Sequence, residues 1–220
     1  MDIPHRQLLA PRPAATTLAE IEDGARVAAL DGRRVEVAGL PPANTLETLW
    51  ASRVGRDDAV AIGRLPALSR LVIHDYRTTD LSPLASLGAL TSLAVAGSPK
   101  LRDLAGLERL SRLTELILFD SCNYTDLAPL ATLERLETLC LEGGFSKPLR
   151  VETLAPLHGL TRLRRLRLAS VRVADKSLTP LHGLAELREV FVAATFPKVE
   201  LAAMAAALPE ARGEFLNSQR

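Results

Sequence analysis

The amino-acid sequence predicts an α/β solenoid, in which a curved parallel β-sheet carries short helical or 3₁₀ turns on its convex side. Six segments share one template of leucines, and within each segment leucines alternate with other residues, as in a strand with one buried face. One such unit cannot bury its leucines alone, whereas stacked neighbours bury a continuous core. The composition agrees, because 47% of the 220 residues are hydrophobic while only 4% are aromatic.

The strand part of the repeat follows the pattern L-x-x-L-x-x-L-x-L, as in LSRLTELILFD and LTRLRRLRLAS. A weaker upstream copy, TLETLWAS, places Leu49 in the same phase and predicts a sheet of about seven strands. The third apolar position falls at Leu71, Leu93, Leu116, Leu139, Leu166 and Val190, with spacings of 22, 23, 23, 27 and 24 residues.

A second element follows most of the strand segments, as in DLAPLATL and SLTPLHGL. It begins with Asp, Thr or Ser, whose side chains can cap the free N–H groups of a short helical turn. It usually contains proline, which suits a first turn because it has no N–H to lose. We therefore expect one short turn after each strand.

Together these two elements resemble the leucine-rich repeat family, in particular the short-repeat class of the bacterial internalins, over about residues 40–208. One departure from the family is consistent. Asparagine would satisfy loop backbone donors at one position of each repeat, so its replacement predicts less regular loops. That position is occupied here by Tyr76, Ser98, Ser121, Gly144, Val171 and Thr195.

The two ends of the chain lack the repeat. Capping-box spacing and the Asp31-Gly32 pair predict a short helix and a hairpin before the repeats. An alanine-rich stretch, 199–211, predicts a closing helix that reaches Pro209. The expected division is a flexible arm at 1–15, a cap at 16–42, a repeat domain of six to seven repeats with helical closure at 43–212, and a tail at 213–220.

Three rows of side chains are expected on the concave face of the sheet. The central row has one charge in seven positions, which predicts an exposed apolar stripe and hence an interface. Two alternatives stay open: the arm or cap folds over the stripe, or the strand register is wrong in one repeat. The central row is Trp50, Val72, Ala94, Ile117, Cys140, Arg167 and Phe191; the row before it is Thr48, Arg70, Ser92, Glu115, Thr138, Arg165 and Glu189; the row after it is Ser52, His74, Ala96, Phe119, Glu142, Ala169 and Ala193.

Several of these residues are candidates for direct contact with a protein partner. Trp50, the only tryptophan, would be a natural anchor, although it could instead pack under the cap. Phe145 is a candidate in the longest loop, 142–153, because insertions in solenoids often lie on the binding face. The predicted concave contacts are Trp50, Arg70, Val72, His74, Ile117, Phe119, Glu142, Arg165, Arg167 and Phe191.

The arginines of β-strand segment 160–170 have two interpretations. The register directs Arg165 and Arg167 to the concave face, which excludes a basic recognition helix. They either anchor an acidic partner or form cross-strand ion pairs with Glu189 and Glu142. Eight basic residues against two acidic ones between 145 and 176 give this part of the chain a local excess of six positive charges.

These patterns favour a non-catalytic protein–protein interaction module that uses its concave face. The alternative is a dedicated inhibitor, an immunity-type or effector-type protein acting on one toxin or host protein. A homodimer through the same face stays open as well, since an isologous interface lets one patch serve both sides.

Other function classes are disfavoured. A hydrolase or transferase using His74, Asp75 and Cys140 lacks any recognisable nucleophile motif, and no motif predicts a cofactor or a metal. The net charge of +1 argues against a nucleic-acid binder, although the basic segment 145–176 keeps that hypothesis testable. Without a transmembrane or secretory segment, we expect no membrane partner, a cytoplasmic chain and two reduced cysteines.

Overall fold

The computed structural model describes residues 26–31, 45–144, 146–192 and 195–213, with only the backbone of Asp31. Within these residues an eight-stranded parallel sheet confirms the predicted solenoid. A second, two-stranded parallel sheet lies beside it. The main sheet contains β1 Val27–Asp31, β2 Thr48–Ser52, β3 Arg70–His74, β4 Ser92–Ala96, β5 Glu115–Phe119, β6 Thr138–Glu142, β8 Arg165–Ala169 and β10 Glu189–Val192; the second sheet contains β7 Leu149–Val151 and β9 Val171–Val173.

Short turns return the chain along the convex side from one strand to the next. Helix α1, Arg56–Ile62, occupies this place in the first repeat. The later repeats use 3₁₀ turns, as the short second element predicted. These are Ser82–Leu84, Leu107–Arg109, Ala128–Thr132, Ala155–Leu157 and Thr179–Leu181.

A polar side chain before each 3₁₀ turn accepts a hydrogen bond from a backbone N–H two residues further on. In four of the five repeats this N–H belongs to the first residue of the 3₁₀ turn and is a donor that the turn leaves free, and the contact confirms the capping predicted from Asp, Thr and Ser. The pairs are Asp80 with Ser82 at 3.0 Å, Asp103 with Ala105 at 2.8 Å, Asp126 with Ala128 at 2.8 Å, Thr153 with Ala155 at 3.1 Å and Ser177 with Thr179 at 3.2 Å.

The core lies between the sheet and the convex turns and is built from the repeated leucines. Leu71, Leu93, Leu116 and Leu139 have no exposed surface. Tyr76 replaces asparagine in this core, and its hydroxyl donates to the carbonyl oxygen of Asp80 at 3.0 Å. Burial raises the pKa of Tyr76 to about 12.

The backbone at the points where the chain leaves the strands is more regular than the replacement of asparagine predicts. The first residue after β2, β3, β5 and β8 has a left-handed φ of 57° at Arg53, 60° at Asp75, 50° at Asp120 and 51° at Ser170. Ser98 and Ser121 stand at two of the positions where the family has asparagine. Their buried hydroxyls are hydrogen-bonded to each other and so link neighbouring repeats. The expectation of less regular loops is therefore wrong at these exits.

The sheet begins one strand earlier than the leucine pattern predicted. Strand β1 lies in the segment predicted as a cap and pairs with β2 in parallel, Val27 opposite Thr48. The second run of the predicted hairpin, the predicted capping helix, the arm at 1–15 and residues 214–220 lie outside the described residues.

A helix closes the other end of the core, as predicted. Helix α2, Lys198–Ala207, buries Leu201, Met204 and Ala205. The chain then returns beside the last strand, where the N–H of Val190 donates to the carbonyl oxygen of Arg212 at 2.9 Å.

Candidate functional site

The register of the concave face is the one that the sequence predicted. Trp50 lies opposite Val72 and Ala94 lies opposite Ile117. Further along the sheet, Cys140 pairs with both Ile117 and Arg167. The alternative of a wrong register in one repeat is therefore excluded over the described strands.

The central row of this face is not the exposed stripe that its composition predicted. Its four middle residues have relative exposures of 2% for Val72, 2% for Ala94, 0% for Ile117 and 3% for Cys140. They form one cluster, and the partly buried Trp50 and Phe119 pack against it. Strands only about 4.8 Å apart bring side chains of one row into contact. Val72 and Ile117 are thus not accessible to a partner in this conformation.

The sequence also allows the amino-terminal arm or the cap to fold over the apolar stripe. The arm lies outside the described residues, and of the cap only β1 is described. Ala29 of β1 lies opposite Trp50, so the tryptophan is flanked by the cap strand on one side. Its indole Nε1 is buried and has no hydrogen-bond partner among the described residues, while the residue as a whole stays half-buried.

Two sets of hydrogen bonds lie along the amino-terminal ends of the strands, here called the amino-terminal rim: one joins Arg70, Ser92 and Glu115, and the other joins Thr138 and Arg165. Arg70 Nη2 and Ser92 Oγ donate to the same oxygen of Glu115, at 3.4 and 2.6 Å. Arg165 Nε donates to Thr138 Oγ1 at 3.1 Å. A groove of about 420 Å³ runs along this rim, with an arginine near each end.

Arg167 is held by two contacts on the neighbouring strands. Its Nε donates to Glu142 Oε2 at 3.2 Å, and its guanidinium carbon lies 4.4 Å from the ring centroid of Phe191. The predicted ion pair between Arg167 and Glu142 is confirmed. The predicted pair between Arg165 and Glu189 is not the contact that orients Arg165, although the two are opposite in register, because Arg165 bonds to Thr138 instead.

The predicted contact residues therefore divide into accessible and inaccessible ones. His74, Phe119, Glu142 and Phe191 are half-buried, and Arg165 is exposed. Phe145 lies outside the described residues. Ser92 and Glu115 were assigned to a row by register but not to the predicted contacts. A glutamate among serine and threonine neighbours in one row is the pattern that indicates such a hydrogen-bonded rim.

The hypothesis of an enzyme using His74, Asp75 and Cys140 does not fit the geometry. Cys140 lies three strands from β3, which is roughly 14 Å at the usual strand spacing, whereas proton transfer requires hydrogen-bond contact. Burial, and then Glu142, raise the pKa of the Cys140 thiol to about 12, although Arg167 opposes the shift. Asp75 accepts from Arg77 Nε at 2.8 Å.

Two general findings concern metals and membranes. Among the described residues, no group of three or more His, Cys, Asp or Glu side chains is arranged to hold a metal ion. None of the helices within them has the length and apolar character needed to cross a membrane.

Solved structures of similar shape show the fold. No protein-family model and no curated protein matches the chain. An internalin C2 from Listeria monocytogenes is 23% identical over 80% of this chain and 70% of that chain, with a TM-score of 0.57. The internalin inlF from the same organism is 17% identical over 77% and 54%, at 0.56. The plant peptide hormone receptor RGFR1, in complex with RGF2, is 19% identical over 78% and 28%, at 0.57.

These neighbours are leucine-rich repeat structures, and the chain shares their fold, with an internalin-like arrangement of a parallel sheet and short 3₁₀ turns. It spans only about half of the inlF chain and less than a third of the receptor chain.

Proposed function

We propose that this chain, a leucine-rich repeat solenoid, is a non-catalytic module that binds a protein partner through its concave face. The contact surface is the accessible margin around the buried cluster, not the cluster itself. Its residues are Trp50, Arg70 and His74 on β2 and β3, Phe119 and Glu142 at the ends of β5 and β6, and Arg165, Arg167 and Phe191 on β8 and β10.

The observation that carries this proposal is the fixed position of Arg167. Its side chain is 27% exposed, while Glu142 and Phe191 hold it from two sides. An arginine that is already ordered loses less conformational entropy on binding, and arginine and aromatic side chains dominate binding hot spots. Proteins of this fold have protein or peptide partners in solved complexes, such as RGFR1 with RGF2 and mouse RP105 with MD-1, which supports the same use here.

Affinity capture with concave-face variants tests the proposal. The full chain is immobilised as wild type, as Arg165→Glu/Arg167→Ala, and as Arg135→Ala/Arg162→Ala, a control with two exposed arginines in the turns that precede β6 and β8. We expect a protein that the wild type and the control retain and the concave variant loses. Its affinity is then measured with the purified pair. Equal retention by all three chains would contradict a concave site.

A second copy of the chain is the competing occupant of this face. Light scattering coupled to size exclusion distinguishes the two, because a monomer has a mass of 23.7 kDa. A dimer that Arg165→Glu/Arg167→Ala dissociates would assign the face to self-association instead of a foreign partner.

A further inference from the structure

The second, two-stranded sheet carries a pair of arginines in direct register. Strand β7 lies in the longest loop, and it pairs with β9 so that Leu149, Arg150 and Val151 face Val171, Arg172 and Val173. The four aliphatic residues are buried, and the two arginines between them are exposed. The extra residues of the 27-residue repeat thus form an additional strand, β7. Its exposed side chain, Arg150, lies directly opposite the exposed Arg172 of β9.

This pairing is unfavourable for the isolated chain. Side chains directly opposite each other in a sheet are close neighbours, and like charges at such positions are destabilising. Within the described part of the chain, neither Arg150 nor Arg172 takes part in an ion pair. Of the nearby acids, Asp175 accepts the N–H of Ser177 at 3.0 Å, and Glu152 lies just beyond the end of β7. The pair therefore retains an attraction for an external anion.

A groove adjoins Arg172, one of the two arginines. It has a volume of about 300 Å³ and is lined by Arg172, Val173, Lys176, Thr195 and Phe196. Lys176 is exposed and adds a third cation, while Val173 and Phe196 form an apolar wall. The hydroxyl of Thr195 donates to the carbonyl oxygen of Val171 at 3.4 Å, which holds Thr195 beside β9.

We propose that the lateral basic face, defined as Arg150, Arg172 and Lys176 with the adjoining groove, binds an acidic segment of a protein partner. A carboxylate of that segment accepts hydrogen bonds from the paired guanidinium groups, which suit its planar geometry. A neighbouring apolar side chain of the segment enters the groove against Val173 and Phe196.

Charge and size favour an acidic peptide over nucleic acid. Tight binding of nucleic acid requires neutralisation of many phosphates, whereas this face offers three cations beside Glu152 and Asp175, on a chain of net charge +1. This face is distinct from the concave contact surface of the proposed function, so either can fail without the other.

Fluorescence anisotropy with the full chain tests the proposal. The probe is a fluorescein-labelled peptide of six glutamates around a central leucine–phenylalanine pair, in low-salt buffer. Arg150→Gln/Arg172→Gln should weaken its binding by about tenfold or more, because charge-assisted hydrogen bonds are lost. The control Arg135→Gln/Arg162→Gln removes the same charge from exposed turns that precede β6 and β8 and should change the affinity by less than about twofold.

Thermal unfolding supplies a second measurement. Neutralising one member of a like-charge pair should leave the melting temperature of Arg172→Gln equal to or above that of the wild type. A marked fall would show that the arginines are structural and would overturn the proposal.

The remaining outcomes are equally decisive. No binding of the peptide by the wild type, or equal weakening in the control, would overturn the proposal. Tighter binding of labelled oligothymidylate that Arg150→Gln/Arg172→Gln abolishes would reassign the face to nucleic acid. Loss of the peptide in Arg165→Glu, with retention in Arg150→Gln/Arg172→Gln, would place the acidic site on the concave face instead.

Discussion

Arg70 on β3 reaches across β4 to donate a hydrogen bond to Glu115 on β5, and Ser92 on the intervening strand donates to the same carboxylate oxygen. Glu115 is only 9% exposed, so its charge is largely removed from water and depends on these donors. The contact ties three consecutive repeats together on the concave side, where the leucine core does not reach.

Glu115→Gln should therefore destabilise the fold. A hydrogen bond to a charged group contributes up to about 3 kcal/mol, but the Arg70 side chain is 40% exposed and solvent screens the pair, so we expect a loss of about 1 kcal/mol. Urea denaturation measures the free energy of unfolding. The exposed control Glu134→Gln should stay within about 0.5 kcal/mol of the wild type, and equal losses in both variants would contradict a structural role for the Glu115 charge.

The buried centre of the concave face leads to a second prediction. Ile117 has no exposed surface, so Ile117→Ala should lower the free energy of unfolding by about 2–5 kcal/mol, as at a core position. Val199→Ala is the control, because Val199 is 71% exposed and its truncation should cost less than about 0.5 kcal/mol. A small effect of Ile117→Ala would show that the central row is open in solution.

Two glycines provide a matched pair for a third prediction. Gly106 has a φ of +106°, and a Cβ there would lie 2.6 Å from the backbone of Leu81 and Ser82. Gly106→Ala should cost about 2–4 kcal/mol, through both the strained backbone and the clash. Gly159→Ala has no atom within 4 Å of its Cβ and should be neutral or stabilising by up to about 1 kcal/mol. Similar unfolding midpoints for the two variants would contradict the close approach of neighbouring repeats at Gly106.

The sheet register could be predicted because the leucines specify it. A shift by one residue would turn Leu116 and Leu118 out of the core, so the phase of the repeat also determines which side chains face the concave side. For the same reason the arginines at 165 and 167 could be assigned to the concave face before any contact was known.

Exposure on that face could not be predicted in the same way. Whether Ile117 is accessible depends on its packing against Ala94 and Cys140 from the neighbouring strands, and a pattern along the chain carries no distance between strands. The choice of Thr138 over Glu189 by Arg165 depends likewise on side-chain conformation. Strand β7 was missed because three residues inside an irregular loop offer too short an alternation to predict a strand.

The two cysteines lead to a final prediction, because their environments differ. Cys140 is 3% exposed and its thiol has a pKa raised to about 12, mainly by burial, whereas Cys122 is partly exposed. At pH 8 the native chain should react with a disulfide reagent at one fast thiol, which Cys122→Ser removes, and at one slow thiol, which Cys140→Ala removes. Only the thiolate reacts, so a raised pKa and burial slow Cys140 together.

The free energy of unfolding should depend on the ionisation of the Cys140 thiol at alkaline pH. An unfolded cysteine ionises near its ordinary pKa of 9.0 and the folded one near 12, so the stabilisation by neutral Cys140 is complete below pH 9 and is lost as the pH rises from 9 towards 12. The slope approaches about 1.4 kcal/mol per pH unit, and Cys140→Ala should remove that part of the dependence.

A thiol count completes the test of the two cysteines. After denaturation without reductant the wild type should titrate two free thiols, and a count of zero would contradict the separate positions of the two side chains. Two fast thiols in the native chain would contradict the burial of Cys140.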